Sequence, residues 1–176
     1  MLRLSPRARW TALRTAVLAG AFACGSSDPT GTNTAVNGTI SANLSQYGPW
    51  TGQTTVTATA MNGSLTIVGQ DINFKKITLF LVGVNVSAGQ EDTPRTFTLT
   101  PVTADTVGYA ELYETFQTGV VRYNTFVGGH ATVVLTHVGA DHVTGTFEFI
   151  VQEWPGGTAL RSASGGVFDI RPTIGS

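Results

Sequence analysis

The sequence predicts an all-β fold, an antiparallel β-sandwich of eight or nine short strands. Charged residues make up only 12% of the 176 residues, and no segment beyond the first 23 residues shows the 3.6-residue apolar period of a helix. Several stretches instead alternate apolar and polar residues with a period of two, and turns rich in glycine and asparagine separate them. The same pattern also allows an up-and-down, lipocalin-like β-barrel, which is the alternative fold.

Residues 131–151 form the centre of the predicted sheet. The strand 143–151 has one face of core residues, namely Val143, Gly145, Phe147, Phe149 and Val151. The strand 131–138 precedes it, and the polar turn 139–142 joins the two strands into a hairpin on which the others can pack. We expect Trp50 to be a buried plug at one end of the sheet, and Gly145 to leave room for a large neighbour such as Trp50.

Further strands are predicted on both sides of this hairpin. Asn62-Gly63, between the strands 54–61 and 64–68, is the strongest turn signal because both residues accept a positive φ. Residues 73–86 are apolar on both faces, which is typical of a central strand. Residues 117–129 lack such a pattern and are predicted to form a loop. The other predicted strands are 39–44, 95–100, 107–115, 159–163 and 165–171, and Pro172 is expected to end the last of them.

The first 23 residues have the order of a secretory signal peptide. Residues 1–14 contain four arginines, and residues 15–23 are apolar and uncharged. This apolar run is too short to span a bilayer, which requires roughly 20 residues. The single cysteine, Cys24, follows immediately and precedes a Gly/Ser/Thr-rich segment, so it is a candidate for lipidation.

Three regions are therefore predicted along the chain. Residues 1–23 are a signal peptide, residues 24–38 are the lipidated Cys24 with a flexible tether, and residues 39–172 are the β-sandwich domain. Ala21-Phe22-Ala23 also fits an ordinary signal peptidase site, so cleavage after Ala23 and release of a soluble protein is the alternative. Both outcomes export the domain.

The exported part of the chain is acidic. All eleven acidic residues but only six of the ten basic residues follow Cys24, which gives this part a formal net charge of −5. Binding to nucleic acid requires clustered positive charge, so no nucleic-acid partner is expected. Because the chain has one cysteine, an internal disulfide and a cysteine-based zinc site are excluded.

Short motifs spread over residues 39–171 carry a family resemblance. They are Ser41-Ala42-Asn43-Leu44, Pro49-Trp50, Thr55-Val56-Thr57-Ala58-Thr59, Asn62-Gly63-Ser64-Leu65-Thr66-Ile67, Ile77-Thr78-Leu79, Val143-Thr144-Gly145-Thr146-Phe147-Glu148-Phe149 and Gly165-Gly166-Val167-Phe168-Asp169-Ile170. With these motifs the chain resembles a family of uncharacterised bacterial lipoproteins with an exported, β-rich domain of unknown function. The resemblance implies export, anchoring and a β fold, and it implies no activity.

The sequence predicts no metal site. His130 and His137 are seven residues apart, so a regular strand places them on opposite faces and about 23 Å from each other. A zinc site that joins them would require a sharp bend, and Asp141 and His142 are interpreted as turn residues. The candidate oxygen ligands for calcium are Asp71, Glu91 and Asp92, which lack the spacing of a calcium-binding loop. No cofactor is expected.

The sequence also predicts no catalytic site. It contains no Gly-x-Ser-x-Gly motif around a nucleophile. Two pairs of carboxylates are candidates for the catalytic pair of a glycoside hydrolase, namely Glu111 with Glu114 and Glu148 with Glu153. The members of each pair are an odd number of residues apart, so a regular strand directs them to opposite faces. We therefore expect a protein that is not an enzyme.

Aromatic residues form the pattern that most resembles a site. Tyr109 and Tyr113 share one face of the strand 107–115, with Glu111 between them, and Trp154 follows the central hairpin. Such side chains can stack on sugars, although cross-strand packing is the simpler interpretation of the same pattern. Tyr109, Tyr113 and Trp154 are therefore the candidate ligand-binding residues.

Together these observations predict a monomeric, non-enzymatic lipoprotein of the bacterial cell envelope with a binding or structural role. It is expected on the outer membrane or on a periplasmic or extracellular face, with a secreted soluble protein as the alternative. The expected partners are the membrane, through the N-terminal lipid, and a glycan or another envelope component. The alternative functions are a carbohydrate-binding β-sandwich module and, after it, a β-barrel that binds a small ligand.

Overall fold

The computed structural model describes residues 35–86 and 91–175, and this part of the chain is built from β-strands. In chain order the strands are β1 Gly38–Leu44, β2 Gly48–Thr51, β3 Thr55–Met61, β4 Ser64–Gln70, β5 Lys76–Val82, β6 Arg95–Leu99, β7 Gly108–Phe116, β8 Gly119–Val138, β9 Val143–Trp154, β10 Leu160–Ile170 and β11 Pro172–Ile174. Within the described residues no helix is long and apolar enough to cross a membrane.

All eleven strands belong to one open sheet. Their order is β11-β3-β4-β5-β7-β8-β9-β10-β1-β2, and β6 pairs separately with β8. The pairings between these strands are antiparallel except that of β11 with β3. The predicted antiparallel all-β fold is confirmed, with eleven strands in place of eight or nine. Because β2 and β11 end the sheet, it is not a closed barrel of the lipocalin kind.

The sheet bends back on itself and encloses one hydrophobic core, which gives it the two layers of a sandwich. Only Arg171 separates β10 from β11, although these strands lie far apart in the sheet order. Gly69 of β4 faces the opposite layer, since a Cβ at Gly69 would lie 2.4 Å from Cγ2 of Ile40 and 2.9 Å from the ring of Trp50. Trp50 is 4% exposed, so it is a buried plug as predicted.

The central hairpin supplies the aromatic part of the core. The ring centroid of Phe147 lies 6.1 Å from that of Phe149 and 6.4 Å from that of Phe168. The expectation that Gly145 leaves room for Trp50 is wrong. A Cβ at Gly145 would lie 2.6 Å from Cζ of Phe168, so this glycine accommodates Phe168 on the adjacent strand β10.

The predicted turn at Asn62-Gly63 is present. Asn62 has a φ of 52° and Gly63 a φ of 72°, which are the values of a tight hairpin turn with both central residues in the left-handed region. The turn joins β3 to β4, and Met61 pairs with Ser64 across it. Local turn chemistry therefore fixed the register of this hairpin.

Two predictions from the strand pattern are wrong. The predicted loop 117–129 belongs mostly to β8, and the predicted strands 159–163 and 165–171 form the single strand β10. In both cases the register shifts, between Asn124 and Gly129 in β8 and between Ala163 and Gly166 in β10. A bulge interrupts the alternation of side chains, so a continuous strand looks like a loop or like two strands.

The structure also differs from the prediction at the two ends of the domain. β10 ends at Ile170, before Pro172 as predicted, but Pro172 then begins a further strand, β11, at the edge of the sheet, where a missing N–H is tolerated. Val36 forms a bridge with Val56 of β3, within the stretch predicted as tether. The predicted signal peptide and Cys24 lie outside the described residues.

Candidate functional site

A row of four side chains crosses the outer face of the sheet, one from each of β5, β7, β8 and β9. The strands are in register here, with Lys76 opposite Tyr113, Tyr113 opposite Arg122, and Arg122 opposite Trp154. Residues paired across neighbouring strands project to the same side of the sheet. We call these four residues the outer row.

Arg122 lies between two aromatic rings of the outer row. Its Cζ is 5.5 Å from the ring centroid of Tyr113 and 4.8 Å from that of Trp154. Nζ of Lys76 lies 4.3 Å from the Tyr113 centroid. Cation–π contacts contribute about 0.5–1 kcal/mol each at exposed sites, so they favour this arrangement of the side chains. Trp154 is 41% exposed, and its ring is accessible to a ligand.

A buried carboxylate supports the outer row. Glu111 is 3% exposed, and its Oε1 accepts hydrogen bonds from Nε of Arg122, at 2.8 Å, and from Nη2 of the same guanidinium. Its Oε2 accepts a hydrogen bond of 3.0 Å from the hydroxyl of Tyr113. Charge-assisted hydrogen bonds are the stronger ones. Glu111 therefore holds both the cation and one ring of the outer row in place before any ligand arrives.

The surroundings keep these groups in their ordinary charge states at neutral pH. Burial, and after it the negative charge of Glu111, raises the pKa of Tyr113 above its usual value. Burial alone would lower the pKa of Arg122, but the hydrogen bond and charge of Glu111 outweigh burial and raise that pKa. Tyr113 is therefore a neutral hydroxyl and Arg122 a cation.

The third predicted residue, Tyr109, lies on the same outer face but in a separate aromatic cluster. Its ring centroid is 5.2 Å from that of Phe80 and 4.6 Å from that of Phe126. Phe126 is 37% exposed, whereas Tyr109 is half-buried. Of the three predicted residues, Tyr113 and Trp154 are thus joined through Arg122, and Tyr109 flanks them. Whether they bind a ligand stays a prediction.

A shallow pocket of about 530 Å³ adjoins the outer row. Its lining residues are Gln70, Phe74, Lys76, Tyr113, Thr115 and Val120. Phe74 is 56% exposed and has a φ of 60°, a left-handed conformation that is strained for an aromatic residue and occurs often at functional sites. Oδ1 of Asp71 accepts hydrogen bonds from the backbone N–H groups of Asn73 and Lys75. These bonds hold the loop that presents Phe74 beside the row.

Sequence reasoning missed Arg122, Lys76 and Phe74. Arg122 and Lys76 join the outer row through cross-strand register, which cannot be read from one strand alone. Phe74 carried a local signal, because a large aromatic residue follows Asp71-Ile72-Asn73 in a polar loop, where side chains are usually small or polar.

A second ion pair lies on the inner face, at one end of the core. Nε of Arg161 donates a hydrogen bond of 2.9 Å to Oε1 of Glu114, whose side chain is 1% exposed. Cζ of Arg161 lies 4.7 Å from the ring centroid of Tyr123. Burial, and after it the charge of Glu114, raises the pKa of Tyr123 to about 12. Glu111 and Glu114 thus point to opposite faces, as strand alternation predicts, and do not share one site.

The other residues considered from the sequence lie apart from the outer row. Glu148 pairs with Thr132, and Glu153 pairs with Tyr123 of the inner face, so these two glutamates also point to opposite sides. Each candidate calcium ligand has a different partner: Lys75 for Asp71, Arg95 for Glu91 and His137 for Asp92.

Comparison with known proteins gives a family and no further relatives. The model of a family described as a domain of unknown function, DUF6252, matches residues 34–171. The matched stretch covers the whole sheet from β1 to β10 and the outer row. No curated protein and no solved structure matches the chain.

Proposed function

The chain belongs to the DUF6252 family of domains of unknown function, and from this premise we propose that it is an exported, lipid-anchored envelope protein that binds a glycan on the outer row. The observation that carries the binding part is the stack of Tyr113, Arg122 and Trp154 over the buried Glu111. Export and anchoring rest on the basic and apolar leader and on Cys24 directly behind it.

The chemistry of the outer row suits a carbohydrate. A pyranose ring has apolar C–H faces, which stack on aromatic rings. It also has hydroxyl groups, which donate and accept hydrogen bonds. Trp154 and Tyr113 supply the rings. Arg122 directs two nitrogens to Glu111, and its remaining N–H donors can serve sugar hydroxyls because a guanidinium has five.

The outer face is a better candidate than the interior of the sheet. The inner positions of the described strands are filled by fully buried side chains, for example Leu65, Ile67 and Ile77 at 0% exposure. This packing favours a binding module over the alternative of a barrel that holds a small ligand in its lumen.

The binding proposal predicts that Trp154→Ala weakens glycan binding about two- to tenfold, because a stacked aromatic ring contributes about 0.5–1.5 kcal/mol. The exported wild-type and variant proteins would be screened on an array of envelope and polysaccharide glycans, and the hits measured by calorimetry. Phe116→Ala is the matched control, since Phe116 is also about half-exposed, at 43%, but lies one position past Thr115 and projects to the opposite face.

If no glycan binds to the wild type, or if Trp154→Ala and Phe116→Ala lower the affinity equally, the outer row is not a glycan site. Circular dichroism spectra of both variants would establish that a loss of binding does not come from unfolding.

The anchoring proposal predicts that Cys24→Ser moves the protein from the membrane fraction to the soluble fraction. The serine cannot carry a thioether-linked lipid, and each buried CH₂ of an acyl chain contributes about 0.8 kcal/mol to membrane binding. Metabolic labelling with a radioactive fatty acid gives the second readout. A variant that stays in the membrane and keeps the label would contradict lipidation at Cys24.

A further inference from the structure

Two histidines and an aspartate converge at the turn between β8 and β9. Ligand atoms of His137, Asp141 and His142 all lie within 4.8 Å of one another. Nε2 of His137 is 3.6 Å from Oδ1 of Asp141, and the centroids of the two imidazole rings are 4.2 Å apart in an edge-on arrangement. The three side chains therefore surround a common point at the surface.

The local backbone explains why the sequence pattern did not reveal this cluster. The register of β8 against β9 shifts between Leu135 and His137, and the N–H of Gly139 bonds to the carbonyl oxygen of His142 at 2.9 Å, which closes the turn. A Cβ at Gly139 would lie 2.6 Å from Oδ1 of Asp141 and 2.8 Å from Nε2 of His137. The glycine at residue 139 leaves open the space into which these two ligand atoms point.

The separations suit a small divalent cation. In a tetrahedral zinc site with bonds of about 2.0–2.1 Å, neighbouring ligand atoms are roughly 3.3 Å apart. The 3.6 Å between His137 and Asp141 is close to this value, and the longer separations, up to 4.8 Å, involve His142. The His142 side chain is 45% exposed, so it can move the roughly 1.5 Å that the zinc geometry requires.

Carboxylates on the far side of each imidazole complete the pattern. Nδ1 of His137 lies 2.6 Å from Oδ1 of Asp92, and Nδ1 of His142 lies 4.0 Å from Oδ1 of Asp169. In metal sites the ring nitrogen that does not bind the metal commonly donates to a carboxylate, which fixes the tautomer and orients the ring. Nε2 of His137 is buried and has no hydrogen-bond partner among the residues that the structure describes, so the inner nitrogen is available as a ligand.

We propose that His137, Asp141 and His142 form a binding site for Zn²⁺, in which Asp92 orients the ring of His137. Two imidazoles and one carboxylate are ligands that zinc prefers, and three protein ligands leave the fourth position to water or to an external group. The site lies at one end of β9 and Trp154 at the other, about 35 Å along the strand, so it is independent of the outer row and of the proposed glycan binding.

The test measures metal binding to the whole exported protein after dialysis against a chelator. Titration with Zn²⁺ is followed by calorimetry, and titration with Co²⁺ by the visible absorption of a tetrahedral cobalt centre. We expect one equivalent of either metal to bind, and the cobalt bands to disappear when Zn²⁺ is added.

Variants separate the site from adventitious binding. We expect His142→Ala to remove the cobalt bands, and Asp92→Asn to lower the zinc affinity about 10- to 100-fold, as the loss of an orienting partner does in other zinc sites. His130→Ala is the matched control because this exposed histidine lies on β8, opposite Ile150 and seven residues from His137. The proposal is overturned if the wild type shows no stoichiometric binding, or if His130→Ala and His142→Ala reduce it equally.

Discussion

Arg122 and Arg161 each neutralise a buried glutamate, one on the outer face of the sheet and the other at the end of its core. Burying a carboxylate costs desolvation free energy. A guanidinium offsets this cost when its hydrogen bonds to the carboxylate are well aligned. The two pairs differ in what surrounds them. The pair with Arg122 is flanked by Trp154, which is exposed, whereas the pair with Arg161 closes the core. The pair with Arg122 can therefore contact a ligand, whereas the pair with Arg161 stabilises the fold.

The inner pair leads to a prediction about stability. Arg161→Met should lower the free energy of unfolding by about 3–5 kcal/mol, because it leaves the carboxylate of Glu114 buried without its cation. The double variant Glu114→Leu with Arg161→Met should recover most of this loss, since it removes both charges. Urea denaturation of the three proteins measures the effect. A double variant less stable than Arg161→Met alone would contradict it.

Tyr123, which lies beside the pair of Glu114 and Arg161, makes the stability of the protein depend on pH in the alkaline range. The pKa of Tyr123 is raised to about 12 in the folded protein, whereas a phenol in an unfolded chain ionises near pH 10. Between these values the unfolded state binds fewer protons than the folded state, so stability falls as the pH rises. The contribution of Tyr123 is complete below about pH 10 and is lost as the pH rises toward 12, and it amounts to about 3 kcal/mol.

Tyr123→Phe should therefore flatten the decline of stability above about pH 10. Denaturation curves recorded from neutral pH upward would show this difference in slope. Tyr47→Phe is the comparison variant: Tyr47 interacts with the same glutamate and its pKa is also raised, but it is 40% exposed, so its removal should change the slope less. If the stability of the wild type and of Tyr123→Phe falls equally steeply with pH, folding does not raise the pKa of Tyr123.

At the scale of the strands, the two layers pack closely where β4 faces β1. Gly69 has no side chain, and Ile40 and Trp50 fill the space that a side chain would occupy. The absence of a Cβ at this residue therefore allows the two layers to pack closely. Interiors are close-packed, and an added methyl group must displace a neighbour.

Gly69→Ala should accordingly destabilise the protein by about 1–3 kcal/mol. Ile40→Ala removes the methyl group that an alanine at residue 69 would meet at 2.4 Å, so the double variant should lose less than the sum of the two single changes. Thermal denaturation of the four proteins gives this coupling. Strict additivity would show that the two residues do not touch.

The strands also show which parts of the fold can be predicted from sequence. The hairpin at Asn62-Gly63 and the inward face of residues 143–151 follow from local chemistry, namely turn residues that accept positive φ and alternation with a period of two. Residues 119–129 could not be predicted in this way, because the bulge after Asn124 inserts four residues of β8 that have no partner on β9 and interrupts the alternation.

The residues of the candidate sites also differ in whether they can be predicted from local sequence. Tyr109, Tyr113 and Glu111 lie on one strand, so alternation alone places them on one face. Arg122 and Lys76 join them only through the pairing of four strands, which has no local signature. The cluster at Gly139 was missed because Asp141 and His142 were interpreted as turn residues only. The register shift between Leu135 and His137 and the turn that follows bring these two side chains to His137.

At the scale of the whole molecule, the sheet separates its two candidate sites. The outer row lies where β9 ends, at Trp154, and the histidine cluster lies where β9 begins, next to Val143. The two sites lie about 35 Å apart along β9 and share no side chain, so variants at one site should leave the other intact. This separation is what allows glycan binding and metal binding to be tested independently in one protein.

The attachment of residues 35–37 to β3 has a mechanical consequence. Asn37 donates to the carbonyl oxygen of Val56, Val56 donates to that of Ala35, and Asn37 in turn accepts from Arg171. The chain then continues as β1, flanked by β10 and β2. A pulling force applied at Ala35 along the strand direction would load these hydrogen bonds in shear, several at once, instead of opening them one after another. A domain held by its N-terminal end would resist extension at the point where the load arrives.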